Sequence, residues 1–246
     1  MKIFNIIFFG FLTSILTSTS SEASAARTLM EEGMQLTKKL LVVHSSPNPL
    51  KTSFSRKLAK HFVDGLQARF PGYYDVEELD LELNTPPRVT ESTIGSVFTC
   101  DPKTPEEEAY EAVSSKLVRQ LKSSDAIVIS TPMQNFTVPV SLKLWIDAVT
   151  RAGQTFQFTD HGVEGLVKDR PVMVVAACGG NYFGTEYDHV VPYLKPTLSF
   201  IGVEKFFSVE ASATALAGAE DSVANARVEL DRHLDSFKEA TRSSSN

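Results

Sequence analysis

The chain has 246 residues, 22% charged and 42% apolar, with a formal charge of −6. That balance is ordinary for a globular protein and argues against a general affinity for nucleic acid phosphates. Its cysteines, Cys100 and Cys178, and its five histidines form no CxxC, no zinc spacing and no His-Glu-x-x-His, so no structural metal is implied.

Residues 1–33 read as a leader: Lys2, the apolar run "IFNIIFFGFLTSIL", a Ser/Thr stretch, then Ala23-Ser24-Ala25. That is the order of a signal peptide, and the run is too short and interrupted for a stable membrane span. The rival reading is a start at Met34, because Glu31-Glu32-Gly33 would be encoded by a purine-rich stretch resembling a ribosome-binding site. Under either reading the fold lies in residues 34–246, a one-domain length. We expect a cytoplasmic protein, with export or an organelle as the alternative if residues 1–25 are cleaved.

In chain order, "KKLLVVHSS" (38–46) predicts a buried strand, and 53–70 a helix with Phe54, Leu58, Phe62 and Leu66 on one face. Residues 73–81 alternate as a strand, 82–103 lack periodicity, and 104–125 form a helix with Thr104 as N-cap, Pro105 next and glutamates in its first turn. A doubly apolar strand (126–130), a helix (139–152), a second apolar strand (170–180), a Pro-interrupted helix (187–202), a strand (203–210) and a closing helix (219–237) follow, with "TRSSSN" frayed. Strand and helix alternate throughout, which predicts a doubly wound α/β sandwich of five parallel strands with helices on both faces.

Ligands of such sheets bind at the carboxyl ends of strands. After the first strand, Ser46, Thr52, Ser53 and Ser55 gather at a helix N-terminus, either a phosphate cradle or a plain N-cap in a Pro-rich loop. After the central strand stands Met133-Gln134-Asn135-Phe136, either the polar and aromatic contact of a flat heterocycle or a turn closed by the Asn side chain. After the next strand comes Ala177-Cys178-Gly179-Gly180, where the glycines either let backbone press on a ring or make a tight turn. Together the three ends point to a planar cofactor with a phosphate tail. G-x-G-x-x-G, G-x-x-x-x-G-K-[ST] and G-x-S-x-G are absent, which disfavours resident NAD, a P-loop and a hydrolase elbow and leaves a mononucleotide flavin.

Residues 131–167 resemble the FMN-dependent NADH:quinone oxidoreductase and NADH-azoreductase family. Pro-Met-x-Asn-Phe, Leu-Lys-x-Trp-Ile-Asp, Arg-Ala-Gly-x-Thr-Phe and Glu-Gly-Leu follow in order there, and the likeness extends over about 38–240. The resemblance implies a flavodoxin-like fold, non-covalent FMN in each subunit, a homodimer with sites at its interface, and NADH as donor to quinones and aromatic azo compounds. Carried over, Ser46 and Ser53-Phe54-Ser55 hold phosphate and ribityl chain, Met133 to Phe136 line the isoalloxazine, and Ala177 to Gly180 back its other edge. Hydride passes through flavin N5, donor and acceptor share one slot, and ping-pong kinetics follow, with no side chain required as nucleophile. His44 and His161 are the candidate proton donors and read better as structural, and Cys178 as a small buried residue. The chain departs from the family in Gln134, where an aromatic is usual, in Ala177-Cys178 for a more polar pair, and in Phe158 for a frequent Tyr. Gln134 and Phe158 are expected to flank the acceptor face. The alternative is an electron-carrier flavodoxin or a flavin-binding regulator without turnover; the extra segments 82–103 and 154–168 argue against it.

Overall fold

The computed structural model describes residues 37–244; the expected leader and Met34 lie outside the described residues. Strand β1 (Lys38–His44) leads into α1 (Phe54–Arg69) and β2 (Tyr74–Asp80). Then come a short α2 (Ile94–Thr99), α3 (Pro105–Ser123), β3 (Ala126–Pro132) and α4 (Val140–Val149). A hairpin, β4 (Phe156–Thr159) and β5 (Gly162–Gly165), precedes β6 (Val172–Ala177), α5 (Val191–Phe200), β7 (Phe206–Ala211) and α6 (Ala219–Ser243).

Five strands form one parallel sheet in the order β2-β1-β3-β6-β7, and β4–β5 is a separate antiparallel ribbon. Alternation within each strand splits the core in two. Leu41, Val43, Ile127, Ile129, Val172 and Val174 pack with Leu117 and Leu121 of α3, Leu142 and Trp145 of α4 and Leu194 and Leu198 of α5. Leu40, Val42, Val128, Met173 and Val175 pack with Leu58, Phe62 and Leu66 of α1 and Leu230 and Phe237 of α6. Each such fully buried side chain contributes about 1.5–3 kcal/mol relative to exposure, so both faces specify the register. The expected doubly wound sheet is borne out, with the reversal of strand order between β1 and β3.

Three segments differ from the sequence reading. Within 82–103, α2 forms because Arg151, fully buried at the end of α4, donates from Nε to the Val97 carbonyl (3.2 Å) and from Nη2 to the Ser96 carbonyl (2.6 Å). Glu111 of α3 neutralises that guanidinium at 2.6 Å. The predicted helix 187–202 begins only at Val191, because Asp188 Oδ1 accepts from the Val190 N–H (2.9 Å) and closes a loop instead. At the other end, α6 does not fray at Thr241: it runs to Ser243, with the Tyr74 hydroxyl 3.0 Å from Thr241 Oγ1 and Lys205 Nζ 2.7 Å from Ser244 Oγ. Among the described residues, no helix is long and apolar enough to cross a membrane.

Candidate functional site

The loops after β1, β3 and β6 meet at the carboxyl edge of adjacent strands, where the sequence placed its candidates. After β1, Ser45 stays on the sheet, its N–H donating to the Ser130 carbonyl at 3.0 Å, and the chain then turns through Pro47 and Pro49 to Ser53. Ser53 caps α1: its Oγ accepts from the Arg56 N–H at 3.3 Å and lies 3.3 Å from Ser55 Oγ. Ser46, Ser53 and Ser55 are all buried. The N–H groups of Phe54 and Ser55 have no protein acceptor among the described residues. The first turn of α1 carries no acid, as in α2, α4 and α5, whereas that of α3 carries Glu106, Glu107 and Glu108 against the helix dipole. An external anion fits that position.

Arg56 holds the cradle in shape and escaped the sequence reading. Its buried guanidinium forks onto Asp80 at the end of β2 (2.6 and 2.9 Å) and donates to the Ser46 carbonyl from Nη2 (2.7 Å) and Nε (3.3 Å). The bidentate pair holds the Asp80 carboxyl below the usual carboxylate range, against the opposing effect of burial. His44, on the same face one strand over, is pushed below its ordinary imidazole value, first by burial and then by Arg56. His161 sits at the exposed tip of the β4–β5 hairpin.

After β3 the backbone answers why amide, amide and aromatic precede Pro139. The Gln134 N–H donates to the Thr137 carbonyl at 2.8 Å and Thr137 returns the bond at 3.2 Å. Asn135 and Phe136 between them both have positive φ, 48° and 71°. This is a two-residue reverse turn of the hairpin kind, closed by backbone and not by the Asn side chain. Positive φ is tolerated by Asn and costly for Phe, about 1–3 kcal/mol, a strain typical of ligand-contacting segments. Two consecutive N–H groups, of Asn135 and Phe136, are left without a protein acceptor among the described residues.

A cavity of about 220 Å³ lies between this turn and the loop after β6, lined by Met133, Asn135, Phe136, Cys178, Gly179, Gly180 and Tyr182. Met133 is fixed by its N–H to the Ala177 carbonyl (2.8 Å) and by its sulfur, 3.4 Å from Cys178 Sγ. Met133, Asn135, Phe136, Cys178, Gly179 and Gly180 of the predicted residues therefore share one cavity, while Ser46, Ser53, Phe54 and Ser55 gather at the start of α1. Ala177 supports the cavity through its carbonyl without lining it, and Gln134, exposed and paired through its backbone with Thr137, does not line it either. Phe158 is 70% exposed on β4, edge-on to Phe156 (5.5 Å), and lies outside the lining. Tyr182 was not foreseen.

Buried hydroxyls at an acid-free helix start, free N–H pairs at the turn and an uncharged slot bounded by glycine backbone are the donor set that a phosphorylated planar heterocycle requires; FMN fits it. Comparisons with known proteins agree. Residues 38–234 match the flavodoxin-like fold family. The FMN-dependent NADH:quinone oxidoreductase of Aromatoleum aromaticum (strain EbN1) is 39% identical over 198 residues, 79% of this chain and 98% of that protein. An azoreductase from Bacillus anthracis str. Sterne superimposes with a TM-score of 0.74 at 28% identity, covering 81% of this chain and 100% of that one. An FMN-dependent NADH-azoreductase from Bacillus anthracis str. Ames Ancestor, solved in complex with FMN, superimposes with a TM-score of 0.72 at 27% identity over 81% of this chain and 99% of that one. The chain belongs to the FMN-dependent NADH:quinone oxidoreductase family of the flavodoxin-like fold.

Proposed function

We propose that this chain oxidises NADH and reduces quinones and aromatic azo compounds by a ping-pong mechanism. FMN, when bound, supplies the redox chemistry, taking two electrons from NADH and passing them to the acceptor. The protein supplies position and charge complementarity. Ser46, Ser53 and Ser55, with the free N–H groups that open α1, hold the phosphate. Arg56 acts at one remove by fixing the Ser46 carbonyl. Asn135, the turn N–H groups and the Cys178–Gly180 backbone hold the polar edge of the ring, and their pre-set geometry avoids reorganisation during turnover. The observation that carries this reading is the turn at Asn135-Phe136, strained at Phe136, whose two residues line the cavity and whose N–H groups have no protein acceptor among the described residues.

Donor and acceptor would take turns at the one open face of the bound ring, which is the basis for ping-pong kinetics. A closed two-fold dimer is the assembly we assign. It gives the exposed faces of Phe158 and Val163 a covered position and lets the hairpin contribute to acceptor binding, which it does not do within one subunit. The cytosol, where NADH is available, is the compartment assigned. The test is direct. The purified protein is yellow, releases FMN on heating and sediments at about twice the chain mass. Initial rates over a grid of NADH and benzoquinone give parallel double-reciprocal lines. Colour without turnover would leave a carrier or regulator, and intersecting lines would remove the shared slot.

A further inference from the structure

The position that resemblance assigned to an acceptor-stacking residue, Gln134, lies outside the cavity, while three aromatic rings cluster at its rim. Phe136 and Tyr182 meet edge to face at 5.2 Å, as Tyr182 and Tyr187 do at 6.0 Å, while Phe136 and Tyr187 lie tilted at 5.4 Å. All three stay substantially exposed, at 41%, 37% and 49%. Half-exposed rings in mutual contact offer faces that a planar partner covers.

The cluster is built into the fold. The Tyr182 ring folds over Gly180, where a Cβ would sit 2.5 Å from the ring, so a side chain at 180 would displace the ring from this position. Thr185 donates its hydroxyl to the Tyr182 carbonyl at 2.7 Å and accepts from the Tyr187 N–H at 3.2 Å. Buried Asp188 accepts from the N–H groups of Gly184 (3.2 Å) and Val190 (2.9 Å) and closes the loop. The His189 N–H then donates to the Phe136 carbonyl at 2.9 Å, stapling the loop to the strained turn. The rings are therefore pre-positioned, and little side-chain or loop entropy is lost when a ligand meets them. The lining between the turn and the loop carries no charged side chain, so charged acceptors gain no ionic contact there.

We infer that Tyr182 and Tyr187, packed on Phe136, form the acceptor-binding wall of this enzyme and select neutral planar acceptors of two or more rings over single-ring ones. The inference rests on the redox reading above and adds the substrate class to it. The test compares Tyr182→Ala, Tyr182→Phe and Tyr187→Ala in FMN-loaded protein, with 1,4-naphthoquinone and 1,4-benzoquinone as acceptors. A second, turnover-free readout is the Kd of 2-naphthol from its perturbation of the flavin absorbance. Losing one stacking ring lowers the naphthoquinone-to-benzoquinone ratio of kcat/KM, and weakens 2-naphthol, by up to about tenfold in Tyr182→Ala. Tyr187→Ala shows a smaller drop and Tyr182→Phe keeps both values within about twofold, since the ring face remains. An unmoved ratio, an unmoved 2-naphthol Kd or loss of FMN from Tyr182→Ala overturns the wall. If the unsubstituted protein binds 2-naphthol and reduces neither quinone, the redox reading fails. The 2-naphthol series across the variants then still decides for or against the wall by itself.

Discussion

Arg56 offers the sharpest test of how the fold shapes the phosphate cradle. Replacing it by Leu removes the fork onto Asp80 and both donors to the Ser46 carbonyl while keeping a bulky side chain on the buried face of α1. Breaking a fully buried ion pair by deleting one partner costs about 3–5 kcal/mol. The Asp80 side chain is 25% exposed and can rehydrate, so we expect about 2–3 kcal/mol, read as a lowered urea midpoint at unchanged slope. The cradle loses more specifically. A charge-assisted bond to a backbone acceptor contributes about 1.5–3 kcal/mol to local order, and loosening Ser46 transmits part of that to the ligand's phosphate. FMN affinity, followed by fluorescence quenching, should therefore fall about tenfold to a hundredfold in Arg56→Leu. Riboflavin, which lacks the phosphate, should change by about twofold or less. Arg56→Lys should lie between, because an ammonium cannot fork onto Asp80 and reach Ser46 together. Equal losses for FMN and riboflavin would mean that Arg56 supports the whole edge of the sheet, and an unchanged FMN Kd would refute the cradle argument outright.

Other outcomes follow from the same geometry. Ser53→Glu gives up the short N-cap oxygen but keeps a negative charge favourable to the helix dipole and sets a carboxylate against the incoming phosphate, so the protein should fold and purify nearly free of FMN; full flavin content would disprove the assignment of Ser53. Acid should destabilise the fold in two windows. His44 is depressed from its ordinary 6.5, so below that pH the unfolded chain takes up the proton first and stability falls. Asp80 is depressed from 3.8, so its contribution is complete above that pH and is lost as pH drops further. Urea midpoints at pH 7.5, 5.5 and 3.5 check this. His44→Gln should flatten the upper step alone, and a midpoint that rises between pH 7.5 and 5.5 would contradict it.

The sequence carries those features whose causes are local. Apolar runs such as Ile127–Ile129 and Val172–Val175 are strands in any buried sheet, and Ser53, Thr104 and Pro105 mark helix starts by their own side chains. What stayed hidden depends on partners distant in the chain. Arg56 matters through Asp80, across the whole of α1 and β2. The helix α2 exists because Arg151 reaches back to Ser96 and Val97. Tyr182 and Tyr187 have no periodicity to announce them and meet Phe136 only because Asp188 closes their loop. Gln134 shows the converse. Its place within the tetrad suggested a cavity residue, but the two positive-φ residues beside it reverse the chain and leave its side chain outside.

The hairpin supplies a last test, because its seat against the end of α5 and its reach toward an acceptor are separable. A Cβ on Gly165 would lie 2.3 Å from the Gly202 nitrogen and 2.4 Å from the Ile201 carbonyl carbon, backbone that cannot rotate aside. The Val167 N–H to the Ile201 carbonyl, at 2.9 Å, ties down the same junction. Gly165→Ala therefore forces the hairpin off α5, at an overpacking cost of about 1–3 kcal/mol. Each kcal/mol lowers the melting temperature of a chain this size by about 2–4 °C. The cavity lies at the other end of α5, so FMN content should be retained. If Phe158 works on acceptors from across a two-fold dimer, Gly165→Ala and Phe158→Ala should raise the acceptor KM to a similar degree. The double variant should then be no worse than either, since a displaced ring has no contact left to lose. Additive effects, or a Phe158→Ala enzyme with unchanged acceptor kinetics, would confine the hairpin to a structural role and return the whole acceptor site to the aromatic loop around Tyr182.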